Sequence, residues 1–169
     1  SSITGVVRTG NVQNVFYVWD PRLGGTFGYG GYQTLTKGAG ADPNYYISPG
    51  SGSYGALNSV QNNIQSGQAF FSRAGAGGGS LSFNEIAKIS GSRLVTRQAA
   101  SNTITVKRLN NCLYIISGNS RVLMDGTVCE FDRSFSNGID QLDALKLNNN
   151  SDNLGILSHG NIFAVERRG

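Results

Sequence analysis

The sequence predicts an all-β domain, an antiparallel β-sandwich of jelly-roll-like type with about ten short strands. Three observations support this prediction. Glycine is abundant, with 24 of 169 residues, and charged residues make up only 14%. Short runs of β-branched and aromatic residues alternate with turn-forming residues along the whole chain. Good helix formers are scarce, so two stacked sheets are favoured over a helical fold.

The length of the chain indicates one domain. A chain of 169 residues is long enough for a single core and too short to be divided confidently in two. We therefore treat residues 1–169 as one sandwich domain. The N-terminus, SSITGVVRTG, is polar and has no signal-peptide pattern. We expect the domain to be excised from a larger multidomain protein.

The first firm strand is the apolar run Val15–Trp19, which contains the only tryptophan of the chain. Asp20-Pro21 ends it, because proline lacks a backbone donor and disfavours helical geometry in the residue before it. The glycine-rich loop 24–31 follows, and β character resumes over Tyr32–Leu35. We predict that Trp19 lies in the core or at its rim.

A long polar insertion, residues 37–56, comes next and contains two of the three prolines. It lacks clear periodicity, which is typical of a functional or mobile surface loop. Tyr45, Tyr46 and Tyr54 lie in this insertion. We expect the adjacent pair, Tyr45 and Tyr46, to be exposed.

The rest of the chain contains further short strands separated by turns. The glycine run Ala74–Ser80 is predicted as a hairpin turn, and Asp125-Gly126 as a second turn. Residues 133–147 are mixed, with one helical turn predicted around Ile139–Leu142. Leu113–Ile116 is predicted as a buried strand. The predicted strand positions are 2–8, 15–19, 32–35, 66–73, 81–83, 104–109, 113–116, 121–124, 127–131, 154–157 and 162–166, with turns at 118–120 and 159–161.

Charge and hydropathy argue against two partner classes. The net charge of +4 is spread along the chain, and the longest basic block is Arg167-Arg168. Nucleic-acid binding is therefore not expected. No run approaches the roughly eighteen apolar residues that a membrane-spanning helix needs, so membrane insertion is not expected either.

The sequence offers little catalytic chemistry, and we predict that the protein is not an enzyme. His159 is the only histidine and lies in a Ser-His-Gly-Asn turn, where a solvated loop residue is the simpler interpretation. No GxSxG motif or phosphate-binding loop is present. The closest carboxylate pairs, Glu130 with Asp132 and Asp140 with Asp143, are interpreted as strand-edge and loop acids.

The sequence contains a candidate calcium site and a candidate disulfide bond. Asp132, Asn137, Asp140 and Asp143 supply oxygen atoms of the kind that calcium prefers, although their spacing does not match an EF-hand. The alternative is that these acids cap turns through local hydrogen bonds. Cys112 and Cys129, the only cysteines, form either a disulfide between neighbouring strands or two buried free thiols. No other cofactor is predicted.

Aromatic side chains in the loops suggest sugar binding. The apolar faces of sugar rings pack on tryptophan and tyrosine. The alternative is that these rings belong to the core or cover glycine-rich loops. The candidate binding residues are Tyr29, Tyr32, Tyr45, Tyr46, Tyr54 and Trp19.

Four phrases occur in an order that resembles a known domain type. They are FYVWDPRLGGTFGYGGYQTL, IQSGQAFFSRAGAGGGSLSFNE, LMDGTVCEFDRSFSNGIDQLDALKLNN and NLGILSHGNIFAVERR, at residues 16–35, 64–85, 123–149 and 153–168. Together they resemble a β-sandwich module of surface and secreted Bacteroidetes proteins exported by the type IX secretion system, which end in a C-terminal sorting domain. None of the four phrases is a catalytic signature.

The resemblance implies a module outside the cell or on the outer-membrane surface. Its expected role is structural or adhesive, with carbohydrate binding as the alternative. The expected partners are neighbouring domains of the same chain and either a polysaccharide or another surface protein.

Overall fold

The regular secondary structure of the protein is almost entirely β-strand, as predicted. The computed structural model describes residues 2–24, 30–89 and 106–169. Within these ranges the only helical segments are two single 3₁₀ turns, Ile3–Gly5 and Glu85–Ala87, and no helix is long and apolar enough to cross a membrane. The described strands are β1 (Val7–Asp20), β2 (Gly31–Lys37), β3 (Tyr45–Ser48), β4 (Phe70–Ser82), β5 (Lys107–Ser117), β6 (Ser120–Phe131), β7 (Ala144–Leu145), β8 (Ile156–Ser158) and β9 (Asn161–Arg168).

These strands form two sheets. The first has the order β3-β2-β1-β4 and is antiparallel throughout. The second has the order β5-β6-β9-β7, with β8 also paired to β9. Its β6–β9 pair is parallel, and its other pairs are antiparallel. Two largely antiparallel sheets agree with a β-sandwich, although β1, β4, β5 and β6 are longer than the short strands predicted.

Residues 15–18 of β1 are buried on both faces, which explains the continuous apolar run, whereas the first half of the strand is largely exposed. Successive side chains of a strand point to opposite faces. Val15 and Tyr17 therefore pack towards the second sheet, against Val128 and Val165. The opposite face of the first sheet is covered by the N-terminal segment and the loops that follow β3, and its buried cluster comprises Ile3, Phe16, Val18, Leu35, Tyr45, Ile47, Tyr54 and Ile64.

The glycine run Ala74–Ser80 is not a turn, contrary to prediction. It is part of β4 and pairs with the first half of β1, where Gly10 lies opposite Gly79 and the register shifts next to them. A Cβ atom on Gly79 would lie 2.2 Å from the Thr9 carbonyl oxygen. Glycine is therefore needed here for the close approach of two backbones.

Asp125-Gly126 is likewise not a turn, because β6 runs without interruption from Ser120 to Phe131. The buried Asp125 carboxylate accepts hydrogen bonds from the Lys146 ammonium group at 2.5 Å and from the Leu154 backbone N–H at 2.7 Å. A Cβ atom on Gly126 would lie 2.8 Å from Cβ of Pro49. Asp125 thus forms a buried ion pair, and Gly126 allows a close approach to Pro49.

Other local predictions had mixed outcomes. The turns before Ser120 and at His159–Gly160 are confirmed, since each joins two paired strands. The helical turn predicted around Ile139–Leu142 is wrong, because the first two of these residues have no regular structure and the last two form a hydrogen-bonded turn. Leu113–Ile116 is a strand, but it is not buried, since Ile115 and Ile116 are 51% and 76% exposed.

A buried charge network joins the second sheet to the first. The Arg167 guanidinium on β9 donates to the Glu130 carboxylate at 2.6 Å and to the carbonyl oxygens of Leu142 and Lys37 at 2.8 and 2.9 Å. Arg108 pairs with the same carboxylate. Glu130 is therefore a buried acid in the interior of a sheet rather than the strand-edge acid that was predicted.

We expect Arg167→Met to lower the free energy of unfolding by about 3–5 kcal/mol, because it leaves part of the buried Glu130 charge without its partner. Urea unfolding at neutral pH measures this change. The matched control is Lys88→Met, which removes an ion pair to Glu85 on the surface, where both side chains are more than half exposed. That control should change the free energy by no more than about 0.5 kcal/mol. Equal effects of the two substitutions would contradict the assignment.

The same network predicts a dependence of stability on pH. Burial favours the neutral form of Glu130, but the charges and hydrogen bonds of Arg167 and Arg108 outweigh it and hold its pKa below the usual value of 4.5. The unfolded chain then binds more protons than the folded one as the pH falls below about 4.5. The stabilisation is complete above that value and is lost as the pH falls through the folded pKa.

Urea unfolding at a series of pH values between about 6 and 3 should therefore show a steeper fall in the free energy of unfolding for the wild type than for Glu130→Gln. Parallel curves for the two proteins would show that Glu130 contributes nothing to acid sensitivity.

Candidate functional site

Three of the predicted binding tyrosines are buried, so the expectation that Tyr45 and Tyr46 are exposed is wrong. Tyr45, Tyr46 and Tyr54 are 1%, 7% and 8% exposed. Tyr45 and Tyr46 belong to β3, which pairs with β2, and both faces of that sheet are covered. Alternation along the strand therefore buries both rings. Tyr29 lies outside the described residues.

The buried hydroxyl groups have hydrogen-bond partners. Tyr46 donates to the Asp42 carboxylate at 2.7 Å, and Arg8 donates to the Tyr45 hydroxyl. Burial raises the pKa of Tyr45, with the Arg8 charge opposing it. Burial also raises the pKa of Tyr17 to about 12, and its hydroxyl donates to the Leu145 carbonyl oxygen on the other sheet. These rings are structural parts of the core.

Trp19 and Tyr32 lie at the rim of the core and are half-buried. They are direct cross-strand partners on β1 and β2, and their ring centroids are 5.0 Å apart in an edge-to-face arrangement. Tyr32 contacts the exposed Phe71 ring at 6.0 Å. The predicted rim position of Trp19 agrees with this placement.

Trp19 also lines a cavity of about 760 Å³ at the end of β1. The cavity lies between the Asp20-Pro21 corner and the loop that precedes β4. Its wall combines aromatic, amide, hydroxyl and guanidinium groups. The lining residues include Trp19, Arg22, Ser53, Tyr54, Gln65 and Gln68.

Asp20, the only carboxylate among the described residues that line this cavity, is fully buried and already has hydrogen-bond partners. It accepts hydrogen bonds from Gln33 Nε2 at 3.0 Å, from the Ser53 backbone N–H at 2.9 Å and from the Arg22 backbone N–H at 3.0 Å. Asp20 therefore fixes the loops around the cavity instead of offering a free charge to a ligand.

Sequence analysis found Trp19 and Tyr54 but missed the polar part of this wall. Arg22, Gln65 and Gln68 are ordinary loop residues in the sequence, and only the fold brings them next to Trp19. The phrase SGQ before a strand gives no chemical signal of its own. The exposed apolar residues of the β5–β6 hairpin were missed because a run such as LYII usually indicates a buried strand.

Two of the four side chains proposed for calcium, Asp132 and Asp140, cap local turns. The Asp132 carboxylate accepts hydrogen bonds from the backbone N–H and hydroxyl of Ser134, and these bonds lower its pKa. Asp140 accepts from the Leu142 N–H, and Asn137 from the Gly169 N–H.

Asp143, the fourth candidate calcium ligand, is buried and accepts hydrogen bonds from the backbone N–H groups of Arg167 and Asp140. In the part of the chain that the structure describes, no three acidic, histidine or cysteine side chains are grouped as metal ligands. The bonds of Asp132 and Asp140 match the turn-capping alternative, whereas Asn137 and Asp143 also hold the backbone of Gly169 and Arg167. Calcium binding stays a prediction.

A disulfide between Cys112 and Cys129 does not fit the β5–β6 register. Cys112 lies opposite Gly126, whereas Cys129 lies opposite Leu109. Three residues of offset separate the two Cα atoms by about 10 Å, beyond the roughly 7 Å limit for a disulfide. The odd offset also places the side chains on opposite faces. Both are free thiols, and burial raises the pKa of Cys129.

We expect two titratable thiols per chain when the protein is purified and denatured without reductant, because neither cysteine can reach the other in the folded state. A thiol-reactive dye counted by mass spectrometry measures this number. The reduced and unreduced proteins should carry the same count of labels. A protein that gains two labels only after reduction would contradict the register.

Comparison of the chain with protein-family models, with curated protein sequences and with solved structures found no match.

Proposed function

We propose that the protein is a non-catalytic structural or adhesive module of a secreted or cell-surface bacterial protein. The observation that carries this proposal is the apolar end of the β5–β6 hairpin. Ile115 and Ile116 are adjacent and both are largely exposed. Neighbouring residues of a strand face opposite ways, so this ribbon is open on both of its faces. We call residues 113–124 the β5–β6 arm.

The arm extends as a two-stranded ribbon. Strand β9 pairs with β6 only over Val128–Phe131, and among the described strands no third one pairs with the arm. Arg121 lies over the Tyr114 ring at 4.3 Å, which stiffens the ribbon through a cation–π contact. Exposed apolar groups on a stiff, projecting element are typical of a protein contact surface.

The charged groups of the body support a structural role. Glu130, Asp125 and Asp143 are buried and hold strands or turns together through ion pairs and backbone hydrogen bonds. The Asp20 carboxylate in the cavity is bonded to three donors. Acids engaged in this way favour a rigid spacer or contact domain over an acid–base catalyst.

The cellular location, the partners and the finer topology of the sandwich are part of the same proposal. The resemblance to modules exported by type IX secretion favours a location outside the cell or on the outer-membrane surface. It also favours neighbouring domains of the same chain, or another surface protein, as partners of the arm. The jelly-roll-like arrangement of the sandwich stays a prediction.

The arm is tested by measuring the attachment of protein-coated beads to immobilised bacterial surface proteins under flow. We expect several-fold more beads to remain with the wild type than with Ile115→Ser/Ile116→Ser, because the double variant removes the exposed apolar contact area. Thermal melting of both proteins verifies that the fold is retained.

The matched control is Ile86→Ser, which removes an isoleucine that is 90% exposed on the second 3₁₀ turn, outside the arm. It should adhere like the wild type. Equal attachment of the wild type and the double variant, or attachment no greater than that of blocked beads, would count against the proposal.

Carbohydrate binding is the second candidate function. The specific observation that favours it is the position of Trp19, a half-buried aromatic ring in the wall of a cavity with polar groups around it. A polysaccharide is the partner that this chemistry suggests.

A further inference from the structure

We infer that the cavity at the end of β1 binds a neutral sugar unit of a polysaccharide, with the Trp19 ring as its stacking surface. This inference rests on carbohydrate binding, the second candidate function, and gives it a site. At about 760 Å³ the cavity lies within the range of about 300–1,000 Å³ that ligand pockets occupy. It is large enough for one or two sugar rings.

The Trp19 indole is held in place before any ligand arrives. Tyr32 contacts its ring edge-to-face, with centroids 5.0 Å apart. On Gly30 a Cβ atom would lie 2.7 Å from the indole Cζ2, so the backbone packs directly against the ring. A ring fixed by its neighbours loses little conformational freedom on binding, and its apolar face suits the C–H face of a sugar.

The hydrogen-bonding groups of the cavity are also positioned by the fold. Gln68 Nε2 donates to the Tyr54 hydroxyl at 2.6 Å, and Gln68 Oε1 accepts from the Gln65 backbone N–H at 3.2 Å. The amide is thus held at both ends. Tyr54 accepts a bond in this arrangement, which leaves its own proton to donate.

The groups in the wall match hydroxyl ligands. Amide and hydroxyl groups both donate and accept, as sugar hydroxyls require, and the planar Arg22 side chain adds donors on the exposed side. Among the described lining residues, Arg22 is the one positive side chain, and the buried Asp20 carboxylate balances it. Because these residues together carry no net charge, they favour neutral sugars over uronic acids or cations.

The described residues of this cavity provide no free carboxylate, which favours sugar binding over hydrolysis of the sugar. Cleavage of a glycosidic bond generally needs two carboxyl groups about 5–10 Å apart at the scissile bond. The described residues of the cavity wall include one, Asp20, and its oxygens already accept three hydrogen bonds. The site is therefore assigned to recognition of the sugar without its cleavage.

The test uses the fact that Trp19 is the only tryptophan of the chain. Native gels containing xylan, mannan, mixed-linkage glucan or starch are compared with gels containing polygalacturonate. We expect at least one neutral polysaccharide to retard the wild type and polygalacturonate to have less effect. Oligosaccharides of the retarding polymer should then change the tryptophan fluorescence, and the change should saturate.

Substitution gives the second readout. Trp19→Ala should weaken binding in the retarding gel by about tenfold or more, since it removes the stacking surface. Phe131→Ala, at a half-exposed aromatic ring on the distant end of β6, should leave retardation unchanged. Because fluorescence is read on the wild type, the test remains decisive even where Trp19→Ala does not fold.

The two possible failures are distinguishable. Retardation without any change in tryptophan fluorescence would place the sugar elsewhere, which overturns this site but keeps carbohydrate binding as a function. If no neutral polysaccharide retards the folded protein, both the site and the carbohydrate-binding candidate are wrong. Neither result affects the adhesive role of the β5–β6 arm.

Discussion

The fold depends on the interaction between the buried Arg167 guanidinium and the groups that surround it. Arg167 belongs to the second sheet, yet one of its N–H groups reaches the Lys37 carbonyl oxygen at the end of β2 in the first sheet. Its other bonds, to Glu130 and Leu142, satisfy a charge that would be costly to bury alone. The orientation of the two sheets at this end is therefore set by directional bonds as well as by apolar packing.

The opposite end of β2 holds the candidate sugar site. Gly31 begins this strand and pairs with Asp20, whereas Lys37 ends it, so about 20 Å of extended chain separates the two ends. A second buried polar group lies at the Gly31 end, where the Asp20 carboxylate accepts hydrogen bonds from Gln33 and from the Ser53 backbone. The Lys37 end of β2 is thus fixed by the Arg167 guanidinium and the Gly31 end by the Asp20 carboxylate, which leaves Trp19 on a rigid base.

Prediction from sequence succeeded where one local pattern decides the structure. The run Val15–Trp19 followed by Asp-Pro allows little besides a buried strand and a sharp end. Prediction failed where the same residues are compatible with two different structures. The glycines of Ala74–Ser80 serve either a turn or a close strand pair, and only the partner strand, some sixty residues earlier in the sequence, decides between them.

The burial of the tyrosines and the polar wall of the cavity could not be predicted for the same reason, because both depend on distant segments. Tyr45 and Tyr46 are in a polar stretch, but pairing of β3 with β2 places them in an interior that other segments complete. The cavity joins residues near position 20 with others near positions 53 and 65. Such a site has no local signature, because each of its residues is ordinary in its own neighbourhood.

The cavity and the β5–β6 arm share one segment of chain. Arg22 lines the cavity, and two residues later the Gly24 N–H donates to the Leu123 carbonyl oxygen at the base of the arm. Between them, Leu23 is buried and its N–H donates to the Asp20 carbonyl oxygen. The short segment after β1 is thus anchored to both surfaces. Under the two proposals, a sugar in the cavity and a protein on the arm both lie next to this segment, so we expect their binding energies to be coupled. The proposed module would then hold a polysaccharide beside a protein neighbour.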